Sequence, residues 1–140
     1  HLKSKGEDGP LYGDQQPPPL PTEKIRIPQA QAIGKFVQQV QAVDPDAHVI
    51  VLGDLNDFYF SRTLKALEDS GLNNLIMTFP EEDRFTYIYD GNGQTLDHIL
   101  VTDGLLDQLA GYYVPHINTL TPGEHQVSDH DPVLAIFNVP

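Results

Sequence analysis

Residues Val49-Ile50-Val51-Leu52-Gly53-Asp54-Leu55-Asn56-Asp57 constrain the fold of this chain more than any other stretch. Four consecutive apolar residues, β-branched except for Leu52, read as a strand buried on both faces. Gly53 ends the run, and an aspartate and an asparagine follow with one residue between them. In open α/β sheets, ligands bind in the crevice beyond the carboxyl ends of the strands, which is where Asp54 and Asn56 fall. At that spacing two oxygen ligands share one side of an extended turn, which suits a hard divalent cation or a phosphate. The same pair is also an ordinary turn, because both side chains bond their own backbone.

Two further stretches bear on that choice. Leu96-Asp97-His98-Ile99-Leu100-Val101 is an apolar segment interrupted by an acid and a histidine, and Ser128-Asp129-His130-Asp131-Pro132 leads into the apolar run Val133 to Phe137. In each, polar groups that are costly to bury stand at the edge of a run that should be buried. Three such places point to one shared site. Asp54, Asp97 and Asp129 brought together would raise one another's pKa, a conflict that a bound cation or proton relieves. A histidine beside a carboxylate is held in one tautomer for proton transfer.

In this order, Gly53-Asp54-Leu55-Asn56, Leu96-Asp97-His98-Ile99 and Ser128-Asp129-His130 resemble the endonuclease/exonuclease/phosphatase superfamily, the deoxyribonuclease-I-like metal-dependent phosphodiesterases. His1-Leu2-Lys3-Ser4-Lys5-Gly6 is similar to the histidine-bearing strand end of its large bacterial extracellular members, and Arg26 with Gln29-Ala30 to the helix that follows. The resemblance implies an α/β fold, the C-terminal half of a four-layer α/β sandwich, with a mixed, largely antiparallel sheet and flanking helices. Residues 1–140 would be one partial domain. It also implies catalytic roles for His1, Asp54, Asn56, Asp97 and His130, with Asp54 and Asn56 positioning the attacking water and the phosphate. Asp97 would orient His130, and His1 would stand on the phosphate's other side. Asp54, Asn56 and Asp129 would hold Mg²⁺ (or Mn²⁺ or Ca²⁺). Lys3 and Arg26 would bind substrate, Lys3 because it shares a face with His1 if that segment is extended.

What the resemblance implies for the intact protein is a metal-dependent phosphodiester hydrolase, an extracellular or periplasmic nuclease acting on nucleic acid. A phosphatase or a phospholipid or sphingomyelin-type phosphodiesterase on the same scaffold is the alternative, and a non-catalytic binding module is the reading from another class. One departure matters: the family's main metal-binding glutamate belongs to the first half of its fold, and no glutamate motif precedes His1. The chain therefore reads as a piece of a longer protein, weak or inactive without the N-terminal half of the domain. The uncovered apolar sheet face predicts an exposed patch or self-association.

Composition narrows the partners. Twenty acidic residues against 8 basic ones give a net charge of −12. That argues against nucleic-acid binding through a general basic surface. Five of the bases (Lys3, Lys5, Lys24, Arg26 and Lys35) fall in the first quarter, so a local phosphate-facing patch remains open. The absence of cysteine excludes disulfides and thiolate metal sites. No apolar run approaches the length of a membrane helix.

Residues 6 to 21, rich in Gly and Pro, read as a loop. Ala30, Ile33, Phe36, Val37 and Val40 recur at helical spacing, with Thr22 a candidate N-cap and Pro28 placing the first turn near itself. Ser61 caps a short helix that ends at Gly71. Residues 72–79 have no clean period. Arg84 to Tyr89 and Thr95 to Val101 flank Asp90-Gly91-Asn92-Gly93 as a hairpin. A short helix over 103–109 and strands over 111–117 and 133–139 complete the chain. Asp57 reads as a turn cap, His98 as a packing residue and His116 and His125 as surface histidines. Tyr87 and Tyr89 read as strand packing rather than as base-stacking platforms.

Overall fold

The computed structural model describes residues 1–10 and 12–138. In chain order it contains α1 (Glu23–Val43), β1 (Ile50–Asp54), α2 (Arg62–Glu68), β2 (Asn73–Asn74), β3 (Tyr87–Tyr89), β4 (Asn92–Gln94), β5 (Asp97–Val101), α3 (Asp103–Leu106), β6 (Leu109–Tyr113) and β7 (Leu134–Phe137). All strand pairs are antiparallel, in the orders β1-β5-β2, β3-β4 and β6-β7.

β5 is the wall between two cores. On one side Leu100 packs with Leu2, Ala30, Val37, Leu55, Leu64 and Leu67, which ties α1 and α2 to the sheet. On the other, Ile99 and Val101 pack with Leu75, Ile76, Tyr112 and Phe137, which ties in the β6–β7 pair. The alternation of side chains along a strand serves both cores from five residues.

The strand opening the sequence argument is not buried on both faces. Val51 packs under the helices, whereas Ile50 and Leu52 are 43% and 64% exposed. β1 pairs only with β5. Ile50 and Leu52 stand opposite Val101 and Ile99, and the layer that covers Val101 and Ile99 stops short of them. An apolar strip is therefore open along β1.

Three other expectations shift. α1 begins at Glu23, five residues before Pro28, which lies in its second turn. Thr22 occupies the N-cap position without capping the helix. Ion pairs made by the first-turn residues Glu23 and Arg26 hold that turn despite the N–H that proline lacks. The hairpin is β3–β4, closed by Asp90 (φ 49°) and Gly91 (φ 76°), the left-handed pair of a two-residue turn. Residues 97–101 form a separate strand paired with β1 and β2. The unplaced stretch 72–79 holds β2 and a 3-10 turn over Leu75–Thr78, whose buried Leu75 and Ile76 are adjacent and so show neither helical nor strand period.

The Ser61 cap forms as expected, its hydroxyl accepting from the Leu64 amide at 3.2 Å. The helix expected over 103–109 is the single turn α3, and the strand expected over 111–117 begins two residues earlier and ends before Pro115. β7 covers 134–137 of the closing strand, and Val139 lies outside the described residues.

Candidate active site

The register of β1 and β5 sets Asp54 directly opposite Asp97. Like charges in that position repel, and each carboxylate has a histidine beside it. His1 Nε2 lies 3.2 Å from Asp54 Oδ2, and His130 Nδ1 lies 2.6 Å from Asp97 Oδ2. An ionised carboxylate only accepts, so Nδ1 of His130 carries the hydrogen and Nε2 is the nitrogen left for chemistry. Burial pushes the Asp54 carboxyl above its usual range; the Asn56 amide opposes that, and the charge of Asp97 adds to it.

The Asp54–Asn56 pair forms the ordinary turn the sequence allowed, and both residues line the cleft that opens above them. Asp54 Oδ1 accepts from the Asn56 backbone amide at 2.8 Å, an Asx turn. Asn56 adopts a left-handed φ of 52°, a conformation asparagine tolerates better than most residues. Its buried amide donates to Asp54 Oδ2 at 2.9 Å and to the Leu2 carbonyl at 3.3 Å. Leu2 N in turn donates to the Asp54 carbonyl at 3.1 Å, which ties the His1 segment to the end of β1.

His130 is held from behind. Asp131 N donates to the Thr86 carbonyl at 2.7 Å, and Asn118 Nδ2 donates to the His130 carbonyl at 2.7 Å. The buried Asp131 carboxylate accepts from the Asn118 and Thr119 amides at 2.8 and 3.0 Å, from His116 Nδ1 at 2.8 Å and from the Thr119 hydroxyl. Burial raises that carboxyl's pKa, but the bonds from Thr119, His116 and Asn118 outweigh it and hold the group below its ordinary value. Thr86 Oγ1 accepts from the amides of Leu96 and Asp97, both at 3.1 Å, and so fixes the start of β5. His116 is thus not a free surface histidine: it pairs with Asp131 and stacks on Phe85 with ring centroids 4.0 Å apart. His125 is exposed, as expected, beside Glu124.

Beneath the site lies Arg26, and here the expectation of a substrate contact fails. Its side chain is completely buried. The guanidinium donates to Asp57 Oδ2 at 3.0 Å and Asp8 Oδ2 at 2.8 Å, and also to the Thr22 hydroxyl. A charge this deep must be paired, and the fully buried guanidinium is taken up by this node and does not line the cleft. Arg26 instead joins α1, the turn after β1 and the Gly/Pro-rich loop. Asp57, read as a turn cap, is the other half of this node and also accepts from Thr63 Oγ1 at 2.6 Å. His98 completes the support: buried and neutral, its Nε2–H donates to the Asp57 carbonyl at 2.9 Å while Nδ1 accepts from Asn74 at 3.1 Å.

A cleft of about 730 Å³ opens above these groups. His1, Asp54, Asn56, Asp129 and His130 line it together, and Asp97 stands behind His130. Lys3 does not reach it: its ammonium pairs with Glu7 at 2.7 Å and its amide donates to Gln29. Lys5 lines the cleft instead, so the segment is not regularly extended from His1 onward. The donors Asp54, Asn56 and Asp129 are hard oxygens suited to Mg²⁺, although among the described residues no three acidic or histidine side chains are clustered closely enough to hold an ion alone. Mg²⁺ is commonly bound by one or two carboxylates together with substrate phosphate and water, and this donor set fits that use. Sequence reasoning placed Lys5 only in a general basic patch and Asp131 only within its motif, passed over Thr86 and Asn118, and read Tyr87 and Tyr89, which line the cleft, as packing.

Comparison with known proteins follows the same lines. The chain is similar in structure to the 3′-5′ exonuclease NExo from Neisseria meningitidis, with 22% identity and a TM-score of 0.67 over 85% of this chain and 56% of that one. It is similar to an AP endonuclease from Archaeoglobus fulgidus, with 19% identity and a TM-score of 0.63 over 81% and 53%. A mannosyl-6-phosphatase from Bacteroides thetaiotaomicron matches at 19% identity and a TM-score of 0.61, over 82% and 47%. The chain thus spans about half the length of the structures it matches. No curated protein matches it. The model of the Endonuclease/Exonuclease/phosphatase family matches residues 3–130, nearly the whole chain, and the chain belongs to that family.

Proposed function

We propose that this chain is the phosphate-binding side of a divalent-cation-dependent phosphodiester hydrolase, a nuclease in the whole protein. The observation that carries the reading is the pair of histidine–carboxylate couples, His1 with Asp54 and His130 with Asp97, brought to one cleft by the β1–β5 register. Hydrolysis adds water to phosphorus and breaks one P–O ester bond. Asp54 and Asn56 orient that water, and Asp54, with its raised pKa, is a better proton acceptor than an ordinary carboxylate. His130, fixed by Asp97 through Nδ1–H, in its imidazolium form donates Nε2–H to a phosphate oxygen and stabilises charge developing there. Lys5 lines the cleft with its ammonium shared between Asp57 and Asp8. A divalent ion on Asp54, Asn56 and Asp129, when bound, supplies further charge to the phosphate.

Phosphatase activity is the second reading, favoured by the net charge of −12 and by Lys5 being the only lysine or arginine lining the cleft among the described residues. An extracellular or periplasmic setting rests on the likeness of the His1 segment to bacterial extracellular members. Assays of the full-length protein on bis(p-nitrophenyl) phosphate and p-nitrophenyl phosphate, with Mg²⁺ and with EDTA, separate the readings. Metal-dependent cleavage of the diester that His130→Ala and Asp54→Asn each abolish is expected. Activity that survives both substitutions, or that is indifferent to EDTA, overturns the assignment.

A further inference from the structure

We propose that the cleft holds the phosphodiester of an unstacked nucleotide, with its base against a tyrosine wall, so that single-stranded nucleic acid is the preferred substrate. This rests on the hydrolase reading above and names its substrate class. The wall is the β3–β4 hairpin. Tyr87 and Tyr89, two residues apart on one strand, point the same way. Their rings are nearly parallel, 15° apart, with centroids separated by 6.5 Å. Tyr87 also lies 4.8 Å from the His130 ring, so the wall begins where the phosphate chemistry ends. Tyr89 is 54% exposed beside the cleft, far more open than a strand-packing role requires.

Described residues of the Gly/Pro-rich loop line the same cleft. Asp8 anchors the loop by accepting from Thr22 N at 2.9 Å, from Thr22 Oγ1 at 2.7 Å and from Arg26, and Gly9 N donates to the Pro19 carbonyl at 2.7 Å. Tyr12, Leu20 and Phe58 line the cleft as well. Phe58 carries the Lys5 ammonium 4.5 Å over its ring, and the same ammonium lies 3.4 Å from Asp57 and 3.5 Å from Asp8.

Three physical arguments select the occupant. Flat rings stack on any base, which is how sequence-tolerant single-strand binders work. Asp90, Asn92 and Gln94, spread along the hairpin from its tip to its open end, line the cleft and offer donors and acceptors that match base edges. A lipid tail would leave those polar groups without partners. An uninterrupted duplex needs a track of phosphate-neutralising Lys and Arg, and the cleft shows one lysine among the described residues.

The test compares kcat/KM of the full-length protein, with Mg²⁺, on a single-stranded oligoadenylate octamer and on an abasic octamer carrying the same phosphates. Base stacking predicts a preference for the base-bearing strand of roughly five- to a hundredfold. Tyr89→Leu, at an exposed position, should collapse that ratio toward one, chiefly through KM. An octamer with 2-aminopurine at its centre should lose fluorescence on binding the parent protein and lose much less on binding Tyr89→Leu. A ratio near one in the parent overturns the tyrosine wall and leaves the hydrolase reading standing. Failure to cleave any diester overturns the hydrolase reading, while 2-aminopurine quenching still decides the wall. Faster turnover of a duplex, or of sphingomyelin vesicles, overturns the proposal.

Discussion

Replacing Arg26 with methionine tests the buried node beneath the site. The side chain is fully buried, and its partners Asp8 and Asp57 are only 3% and 4% exposed, so water screens these pairs little. Methionine keeps the volume and removes the charge, leaving two carboxylates in the interior with hydroxyl partners and Lys5. Breaking a buried pair in this way costs about 3–5 kcal/mol. With a urea m-value of about 1–3 kcal/mol/M, the unfolding midpoint should fall by about 1–5 M. The pH dependence carries the sign. Burial raises the Asp8 carboxyl, but its bonds from Arg26 and Thr22 win and hold it below the usual value of 3.8. A depressed folded pKa means that Asp8 stabilises the parent above its unfolded pKa, and that this contribution disappears as pH falls through the folded value. In Arg26→Met the same carboxylates are buried without their cation and favour protonation, so acidification from pH 7 toward 4 should narrow the gap to the parent. Urea titrations of both proteins at pH 7, 5 and 4 read this out. A loss below about 1 kcal/mol, or a gap that is constant with pH, would refute the claim that the guanidinium holds this node together.

Three further outcomes follow from the geometry. Asp97→Asn keeps the size of the side chain but no longer fixes the His130 tautomer, and kcat on a phosphodiester should fall about a hundredfold or more with little change in KM. Asp54→Asn should abolish turnover yet raise the urea midpoint at pH 7. The raised Asp54 pKa means that its ionised form destabilises the fold, and that this cost is relieved as pH falls through its folded value, so the variant's advantage should shrink on acidification. Gly34→Ala would place a Cβ 2.8 Å from the Cβ and Oγ of Ser70, where α1 meets the end of α2. Thermal melts should show it destabilised by about 1–3 kcal/mol, as overpacking generally does.

What the sequence conveyed was local. Asp54, Asn56, Asp97 and His130 each stand at the edge of an apolar run, a signal available within six residues, and the structure gathers them at one cleft or directly behind it. What it did not convey depends on distance along the chain. An arginine on a helix reads as solvated, and Arg26 is buried only because Asp8, in an apparently structureless loop, and Asp57, 31 residues on, reach it. His116 found its partner 15 residues away, so no neighbouring residue announced it. The stretch Asp90-Gly91-Asn92-Gly93 contains two possible hairpin turns. Gly93, where a Cβ would meet Phe85 at 3.0 Å, is held by packing rather than used in the turn. β1 read as doubly buried because four apolar residues in a row cannot tell a central strand from an edge strand with one face open.

The pairing of Asp54 with Asp97 is a matter of phase between two ribbons, held by the Thr86 hydroxyl and by the bond from Leu55 N to the Leu96 carbonyl rather than by the hairpin tip between them. Lengthening the tip of the tyrosine hairpin at Gly91, which has open space around it, should leave both acids where they are. Inserting one residue between His98 and Leu100 would rotate every later side chain of that ribbon to the opposite core. Evolution can therefore rewrite what this pocket grips while the acids at its base stay in step.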